Sequence, residues 1–410
     1  MIKEHKDIIV GLDIGTSKIV TVVAAVTPDG QLQIIGTGSR ESAGLRKGVV
    51  VNIEETVASI QRSLEEAELM AGCKISRVYA GIAGSHIKSF NSHGMVAIKD
   101  KEVSQADIAR VIETARAVNI PTDHQILHVL TQEFIIDGQE DVREPLGMSG
   151  VRLEVKVHIV TGAVSAAQNI VKCVRRCGLE VTDLILQPLA SSLAVLTQDE
   201  KDLGVALVDI GGGTTDVAVF TDGAIRHTAV IPIAGSQITN DIAMALRTPT
   251  QDAEDIKLRY GVAMQRLAGT DEMIDVPGIG DRESKSMSRQ ALAAVIEPRV
   301  EELFSLVQQS LRDSGYEELL SSGIVLTGGS AQLPGMVELA EEIFSMPVRI
   351  GSPRYEGGLE EVIRSPRHAT VVGLLYEGLA QRELHGRLME KTGRFRTVAQ
   401  SMKTWFTGNF

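Results

Sequence analysis

Aromatic side chains are scarce in this chain: Phe, Trp and Tyr make up 3% of its 410 residues, and Trp405, almost at the C-terminus, is the lone tryptophan. Cysteine is scarcer still, confined to Cys73, Cys173 and Cys177. Three thiols build no disulfide framework in a chain of this size, and no His stands near enough in sequence to complete a zinc signature. Cys173 and Cys177 are one helical turn apart, and all three read as small buried residues in a reducing compartment. No apolar run approaches the ~20 residues that span a bilayer. The opening residues Met1–Asp7 are polar and pass directly into Ile8-Ile9-Val10, which leaves no room for a signal-peptide apolar region. A cytoplasmic protein is expected. Positive charge is also in deficit, with 53 Asp and Glu against 41 Lys and Arg and a net charge of −12. That balance excludes a nucleic-acid surface over most of the body, because phosphate neutralisation needs clustered cations. Two phosphate-binding fingerprints are missing as well: there is no G-x-x-x-x-G-K-[ST] and no strand-linked G-x-G-x-x-G.

What is present is ordinary globular composition, 43% hydrophobic and 23% charged, in a chain too long for one core. Two or more domains are expected. Two short stretches are variants of one device: Gly11-Leu12-Asp13-Ile14-Gly15-Thr16-Ser17-Lys18 and Val208-Asp209-Ile210-Gly211-Gly212-Gly213-Thr214-Thr215-Asp216. Each ends an apolar strand in Asp, then turns on glycines and small hydroxyl residues. Such a turn aims backbone N–H groups into a concavity that suits phosphate oxygens, and an Asp at the strand end can hold Mg2+ through water.

The segments around the two turns repeat one order. In the first half strands are expected at 8–13, 19–25 and 32–36, and in the second at 205–209, 217–220 and 224–231, with Thr-Pro-Asp-Gly and Thr-Asp-Gly turns between the last two of each set. This is an internal duplication at the level of fold. Helical spacing over 53–71 leads to a strand at 77–82. From 84 to 160 the texture changes to short strands around one helix, 104–117, which reads as an insertion with Ser104 as N-cap. Strand-and-helix alternation then resumes: helix 163–177, strand 180–186, helix 188–196, helices 239–246, 250–260 and 289–314, strand 323–326, helix 336–344 and a final helix 366–379. The expected division is 1–83 with 161–196 as one subdomain, 84–160 as its insertion, 197–235 with 322–380 as the counterpart, 236–321 as a smaller subdomain, and 381–410 as linker and tail.

A single Asp-x-Gly turn is weak evidence. Here five elements stand in order: the first turn, Gln187 at a strand-to-helix junction, the second turn, Thr327-Gly328-Gly329-Ser330, and a closing helix. That set resembles the actin, Hsp70 and sugar-kinase superfamily of ATP-binding proteins. The resemblance implies an α/β, actin-like (duplicated ribonuclease H-like) two-domain ATPase fold with a central cleft for ATP and Mg2+. By it Gly15, Thr16, Ser17 and Lys18 would touch the β- and γ-phosphates, and Gly211, Gly212, Gly213, Thr214 and Thr215 would wrap them from the other side. Asp13 and Asp209 would organise Mg2+ and its waters, and Gln187 would orient an attacking water. Gly328, Gly329 and Ser330 would lie along adenine, with Gly235 at a further nucleotide contact. Glu254 and Lys257, three residues apart on one helical face, resemble the segment that reaches adenosine and ribose; a solvated ion pair is the competing reading.

The tail is the other distinctive feature. Phe395, Val398, Met402, Trp405 and Phe406 recur at steps of three and four and form one apolar stripe. Over 382–410 six Lys or Arg, among them Arg394, Arg396 and Lys403, face two Glu, a local excess of four positive charges on an acidic protein. A basic amphipathic helix with Trp and Phe on its apolar face suits the headgroup boundary of an anionic membrane. Its five large side chains supply roughly 7–15 kcal/mol gross at ~1.5–3 kcal/mol each, less the cost of folding and immobilisation. One tail is thus a reversible anchor, and many tails on one filament bind through avidity.

The motif order, the insertion at 84–160 and the basic tail together resemble the FtsA family of actin-like bacterial cell-division proteins. That resemblance implies a protein that forms actin-like protofilaments with itself, ties FtsZ to the cytoplasmic face of the inner membrane at the septum, and recruits later division proteins. The FtsZ C-terminal peptide would meet helix 295–302 of the smaller subdomain, with Arg299 as a contact. ATP hydrolysis stays open, since a filament-forming ATPase can use nucleotide mainly to set conformation. A small-molecule kinase would need an acceptor pocket that no segment offers, and an Hsp70-type chaperone a further peptide-binding domain. A pilus-assembly ATPase of related fold is the nearest rival; the tail is what would tell the two apart.

Overall fold

The structure, a computed structural model, describes residues 7–269, 271–280 and 283–391, with side chains through 384. The tail residues Arg394, Phe395, Arg396, Val398, Met402, Lys403, Trp405 and Phe406 lie outside the described residues.

The first half opens on an antiparallel meander, β1 (Ile8–Ile14), β2 (Lys18–Val26) and β3 (Leu32–Glu41), followed by the small hairpin β4 (Leu45–Arg46) and β5 (Val49–Val50). Helix α1 (Ile53–Ala71) begins where the Asn52 side chain accepts the Glu55 N–H at 3.3 Å and ends at Gly72, which takes φ 66°. This is the N-cap and left-handed C-cap pairing that satisfies helix-end groups. β6 (Arg77–Ile82) then runs parallel to β1. After the insertion come α3 (Val164–Arg176), β11 (Glu180–Leu186) parallel to β6, α4 (Gln187–Val195) and α5 (Gln198–Leu203). The sheet order is β11-β6-β1-β2-β3.

The insertion between β6 and α3 contains β7 (Lys88–Ala97), α2 (Gln105–Arg116), β8 (His124–Ile136), β9 (Gln139–Val142) and β10 (Arg152–Ala163), in a separate sheet of order β7-β10-β8-β9. Its strands are not short: three of them run to 10, 13 and 12 residues. Alternation carries through β10, whose Leu153, Val155, Val157 and Ile159 are fully buried against α2 and the sheet. The Ser104 cap is present as a capping box with Asp107.

The second half repeats the first. β12 (Val205–Ile210), β13 (Thr215–Thr221) and β14 (Ala224–Ile231) form the meander; α6 (Gly235–Leu246), α7 (Thr250–Tyr260), the hairpin β15 (Met273–Val276) and β16 (Lys285–Ser288), and α8 (Arg289–Ser314) form the smaller unit. β17 (Ile324–Thr327), α9 (Met336–Phe344), β18 (Val348–Ile350), α10 (Glu360–Ile363) and α11 (Ala369–Lys391) complete the described residues. The order β14-β13-β12-β17-β18, with β17 and β18 parallel to β12, is the first sheet's order over again. α11 runs on past Leu379 into the segment read as linker and is still helical at Lys391, the last described residue.

Between the two sheets lies a shared core: Ile9, Val20 and Val22 from one, Leu207, Ala218 and Val325 from the other, with Ala194 and Val195 of α4 and Val371 and Leu375 of α11 wedged between. Both sheets therefore lean on the same two helices.

Candidate functional site

Both central strands are buried along nearly their whole length, so the polar group each carries near its C-terminal end cannot be solvated from the side. Asp13 pairs with Val20 across its hairpin and Asp209 with Asp216 across the equivalent one. Each turn then closes with the same bond: Gly15 N–H donates to the Lys18 carbonyl at 3.0 Å, and Gly211 N–H to the Thr214 carbonyl at 3.0 Å. The duplication read in the sequence thus extends to single hydrogen bonds.

The two turns face one another across a cavity of about 970 Å³, near the upper end of ligand-sized pockets. They also touch. A Cβ on Gly213 would lie 2.6 Å from Thr16 Oγ1. The second turn is tied from behind by Gly235 N–H to the Gly211 carbonyl at 3.1 Å, Ser236 N–H to the Gly212 carbonyl at 2.8 Å, and Ser330 Oγ to the Gly211 carbonyl at 2.8 Å. Two segments distant in sequence are fixed to one loop.

At the floor three carboxylates converge. Burial pushes Asp13 up to about 6 despite the Lys18 ammonium and pushes Asp216 up to about 8, with Asp209 adding to that rise. Asp209 is raised by burial too, against hydrogen bonds from Ser191 Oγ at 2.6 Å and Thr370 Oγ1 at 3.4 Å. Lys18 is lowered to about 8, chiefly by burial, and its ammonium donates to the Arg367 carbonyl. Gln187 starts α4 and reaches back so that Nε2 donates to Asp13 Oδ1 at 3.0 Å. Asp216 Oδ1 is buried and has no hydrogen-bond partner among the described residues, which is costly unless something else supplies one.

Beyond the turns, Lys257 Nζ meets Glu254 Oε2 at 2.7 Å, Thr239 Oγ1 at 2.9 Å and the Gly235 carbonyl at 3.2 Å. The pair is an ion pair of uneven exposure, with the Lys257 side chain 10% and the Glu254 side chain 37% exposed, and both side chains line the cavity. Gly328 takes φ 89°, and a Cβ there would stand 2.4 Å from Asp209 Oδ1. At Gly329 the nearest atom to an added Cβ is Arg367 Cβ at 3.9 Å, so that face is open cavity.

Every nucleotide-site residue read from the sequence lines this cavity except Thr215. Thr215 is the first residue of β13, fully buried, and its hydroxyl donates to the Ile233 carbonyl at 2.8 Å; strand alternation turns it away from the side its neighbours Thr214 and Asp216 face. Asp216, Arg367, Thr370 and Ser191 were missed. Asp216 ends the quoted motif and lies opposite Asp209 in its hairpin; Arg367, in the turn before α11, and Thr370, on α11, arrive only through tertiary packing. Arg299, on α8, is bound bidentately by Asp241, with Nη2 to Oδ1 at 3.0 Å and Nε to Oδ2 at 2.5 Å, and also pairs with Glu302.

The donor set fits a polyanion with a hydrated divalent cation: turn amides and Lys18 for the anion, carboxylates including an unpartnered Asp216 oxygen for the cation's waters. Among the described residues no three His, Cys, Asp or Glu side chains converge as a direct metal cage. Among them, too, no helix is long and apolar enough to cross a membrane.

Two sheets of one topology, each presenting an Asp-Gly turn to a common cleft, define an actin-like protein. The PilM-PilN type IV pilus biogenesis complex superposes with a TM-score of 0.65 at 18% identity, over 90% of this chain and 98% of that one. MreB5 of Spiroplasma citri bound to ADP does so with a TM-score of 0.55 at 15% identity, over 96% and 100%. At such identities the likeness is one of fold. Sequence is more specific: cell division protein FtsA of Pseudomonas aeruginosa is 62% identical over 409 residues, 98% of each chain. The family described as cell division protein FtsA matches residues 206–373, and the SHS2 domain inserted in FTSA matches 84–161. The chain belongs to the FtsA family of cell-division proteins, and the pilus-assembly reading is set aside.

Proposed function

We propose that this protein binds ATP with Mg2+ in the cleft and uses it as the conformational switch of a membrane-tethered, actin-like filament. The observation that carries the reading is the facing of the two Asp-Gly turns over three buried carboxylates, one with an unpartnered oxygen. Gly15, Thr16, Ser17 and Lys18 on one side, and Gly211, Gly212, Gly213 and Thr214 on the other, hold the phosphates through backbone amides and one ammonium. Asp13, Asp209 and Asp216 hold the waters of Mg2+, whose charge draws all three carboxylates into their ionised form. Gln187, already bonded to Asp13, is placed to orient a water. Gly328, Gly329 and Ser330 border the base, and Gly235, Glu254 and Lys257 the ribose side.

The filament role rests on family membership and on the tail. The basic, Trp-bearing stripe in the tail is the anchor, and it holds the protein on the cytoplasmic face of the inner membrane at the septum. FtsZ is tied there through its C-terminal peptide, and later division proteins are recruited. Arg299 is the cation offered to that acidic peptide on α8, which must compete with Asp241 and Glu302 for it. Saturating Mg-ATP should raise the melting temperature of the full chain; an unchanged value would sink the cleft assignment. Co-sedimentation with anionic liposomes, and of FtsZ only in the presence of this chain, tests the tether.

A further inference from the structure

The inserted sheet belongs by chain connectivity to the first domain, yet it is bonded to both. On the first-domain side, His128 of β8 is half-buried, and its Nε2 accepts the Leu186 N–H at 3.0 Å. β11 is the edge strand of its sheet, so this bond supplies a partner that no further strand provides. Burial pushes His128 down to about 4, so the ring is neutral and able to accept at neutral pH. The next residue is Gln187, whose side chain lies across Gly81, where an added Cβ would sit 3.1 Å from Gln187 Cγ, and ends on Asp13.

On the second-domain side, β14 is likewise an edge strand. Its outward carbonyls are met by side chains of the inserted sheet: Ser89 Oγ donates to Thr228 at 2.9 Å, Asn91 Nδ2 to Arg226 at 3.3 Å, and Gln132 Nε2 to Ile225 at 2.9 Å. His158 Nε2 adds a bond to Thr228 Oγ1 at 3.0 Å. β14 in turn is laddered to β13, with Val230 opposite Asp216 and Ile231 opposite Thr215, at the exit of the second turn.

We propose that the inserted sheet is a strut clamped to both domains, and that His128 is a positioning residue that sets Gln187 against Asp13, so that moving the sheet changes affinity in the cleft. The inference rests on the nucleotide reading of that cleft. Two short chains of bonds run from one rigid sheet to the two sides of the site, so a partner that rotates the sheet strains both at once. By reciprocity, filling the cleft stiffens the sheet's hold on β14.

The test is titration of the full-length chain with Mg-ATP. His128→Leu removes the acceptor and should weaken binding about fivefold or more, while His128→Gln keeps an acceptor and should stay within about twofold. Ser89→Ala with Gln132→Ala, which removes two half-buried side chains bonded to β14 and leaves the His128 side intact, should weaken binding about threefold. Hydrogen–deuterium exchange adds a readout that mere loss of stability would not mimic: Mg-ATP should slow exchange at 88–92 and 128–132 as well as at 211–216. Should His128→Leu fail to fold, the other two variants and the exchange pattern decide. Affinities equal to the parent's across the variants, or protection confined to the turns, overturn the strut. A parent chain that binds no Mg-ATP overturns the reading of the cleft itself.

Discussion

Ser17 and Gly212 meet across the cleft: a Cβ added to Gly212 would stand 2.7 Å from the Ser17 Cβ and 2.8 Å from its Oγ. The two turns approach so closely because one of them carries no side chains over three positions. Gly212→Val puts a branched side chain into that contact, which lies between domains rather than in either core. The ligand-free chain should fold, and Mg-ATP affinity measured by calorimetry should fall about tenfold or more as the halves are held apart. Parent-like affinity would mean that the turns need not close on the ligand.

Gly328 and Gly329 are adjacent and should respond differently. Gly328 combines φ 89° with a carbonyl and a carboxylate inside 2.6 Å of a Cβ position, so Gly328→Ala should cost about 1–3 kcal/mol in the ligand-free protein. Gly329→Asp points into open cavity and should leave the ligand-free melting temperature near the parent's while abolishing the shift produced by Mg-ATP. Urea unfolding of both, with and without nucleotide, separates the two effects; a Gly329→Asp chain still stabilised by Mg-ATP counts against adenine lying on that face.

Asp216 makes the empty cleft sensitive to pH. Its carboxyl is raised from 3.8 to about 8, so folding takes up a proton between those values. The associated stability is full below the unfolded value and is lost as pH rises through the folded one. Asp13, raised to about 6, works in the same direction. The ligand-free melting temperature should therefore decline from pH 5 to pH 9, and Asp216→Asn should decline less and exceed the parent at pH 9. Parallel curves for the two proteins would show that Asp216 is ionised throughout.

The tail supplies the fourth expectation. Trp405→Glu sets a charge into the apolar stripe formed with Phe395, Val398, Met402 and Phe406. Partition onto anionic liposomes should drop at least about tenfold, from the lost burial of one large aromatic and the cost of a carboxylate near lipid, while Mg-ATP stabilisation is kept. Undiminished sedimentation would remove the anchor.

Much of the fold was legible because the decisive strands are apolar runs bounded by Gly and Asp. Helices 53–71, 250–260, 289–314 and 336–344 and strands 77–82 and 180–186 begin and end where turn chemistry places them. The inserted sheet was less legible: its long strands are interrupted by polar residues such as Glu133, Lys156 and His158, two of which pair with each other at 2.9 Å across the sheet. The extension of α11 past Leu379 was obscured by its charged composition, which reads as linker until the helix is seen to continue from a packed core.

The sequence by itself determined the two Asp-Gly turns, the duplication and the order of motifs, because each is a local pattern of strand, glycine and hydroxyl residues with its own conformational demands. Only the tertiary structure decided that Thr215 turns away while Asp216 faces the cleft, that Lys257 is buried beside Glu254, and that His128 of the insertion meets Leu186. Those outcomes depend on which face of a strand is covered and which edge is left unpaired, and these are properties of packed sheets rather than of any segment alone.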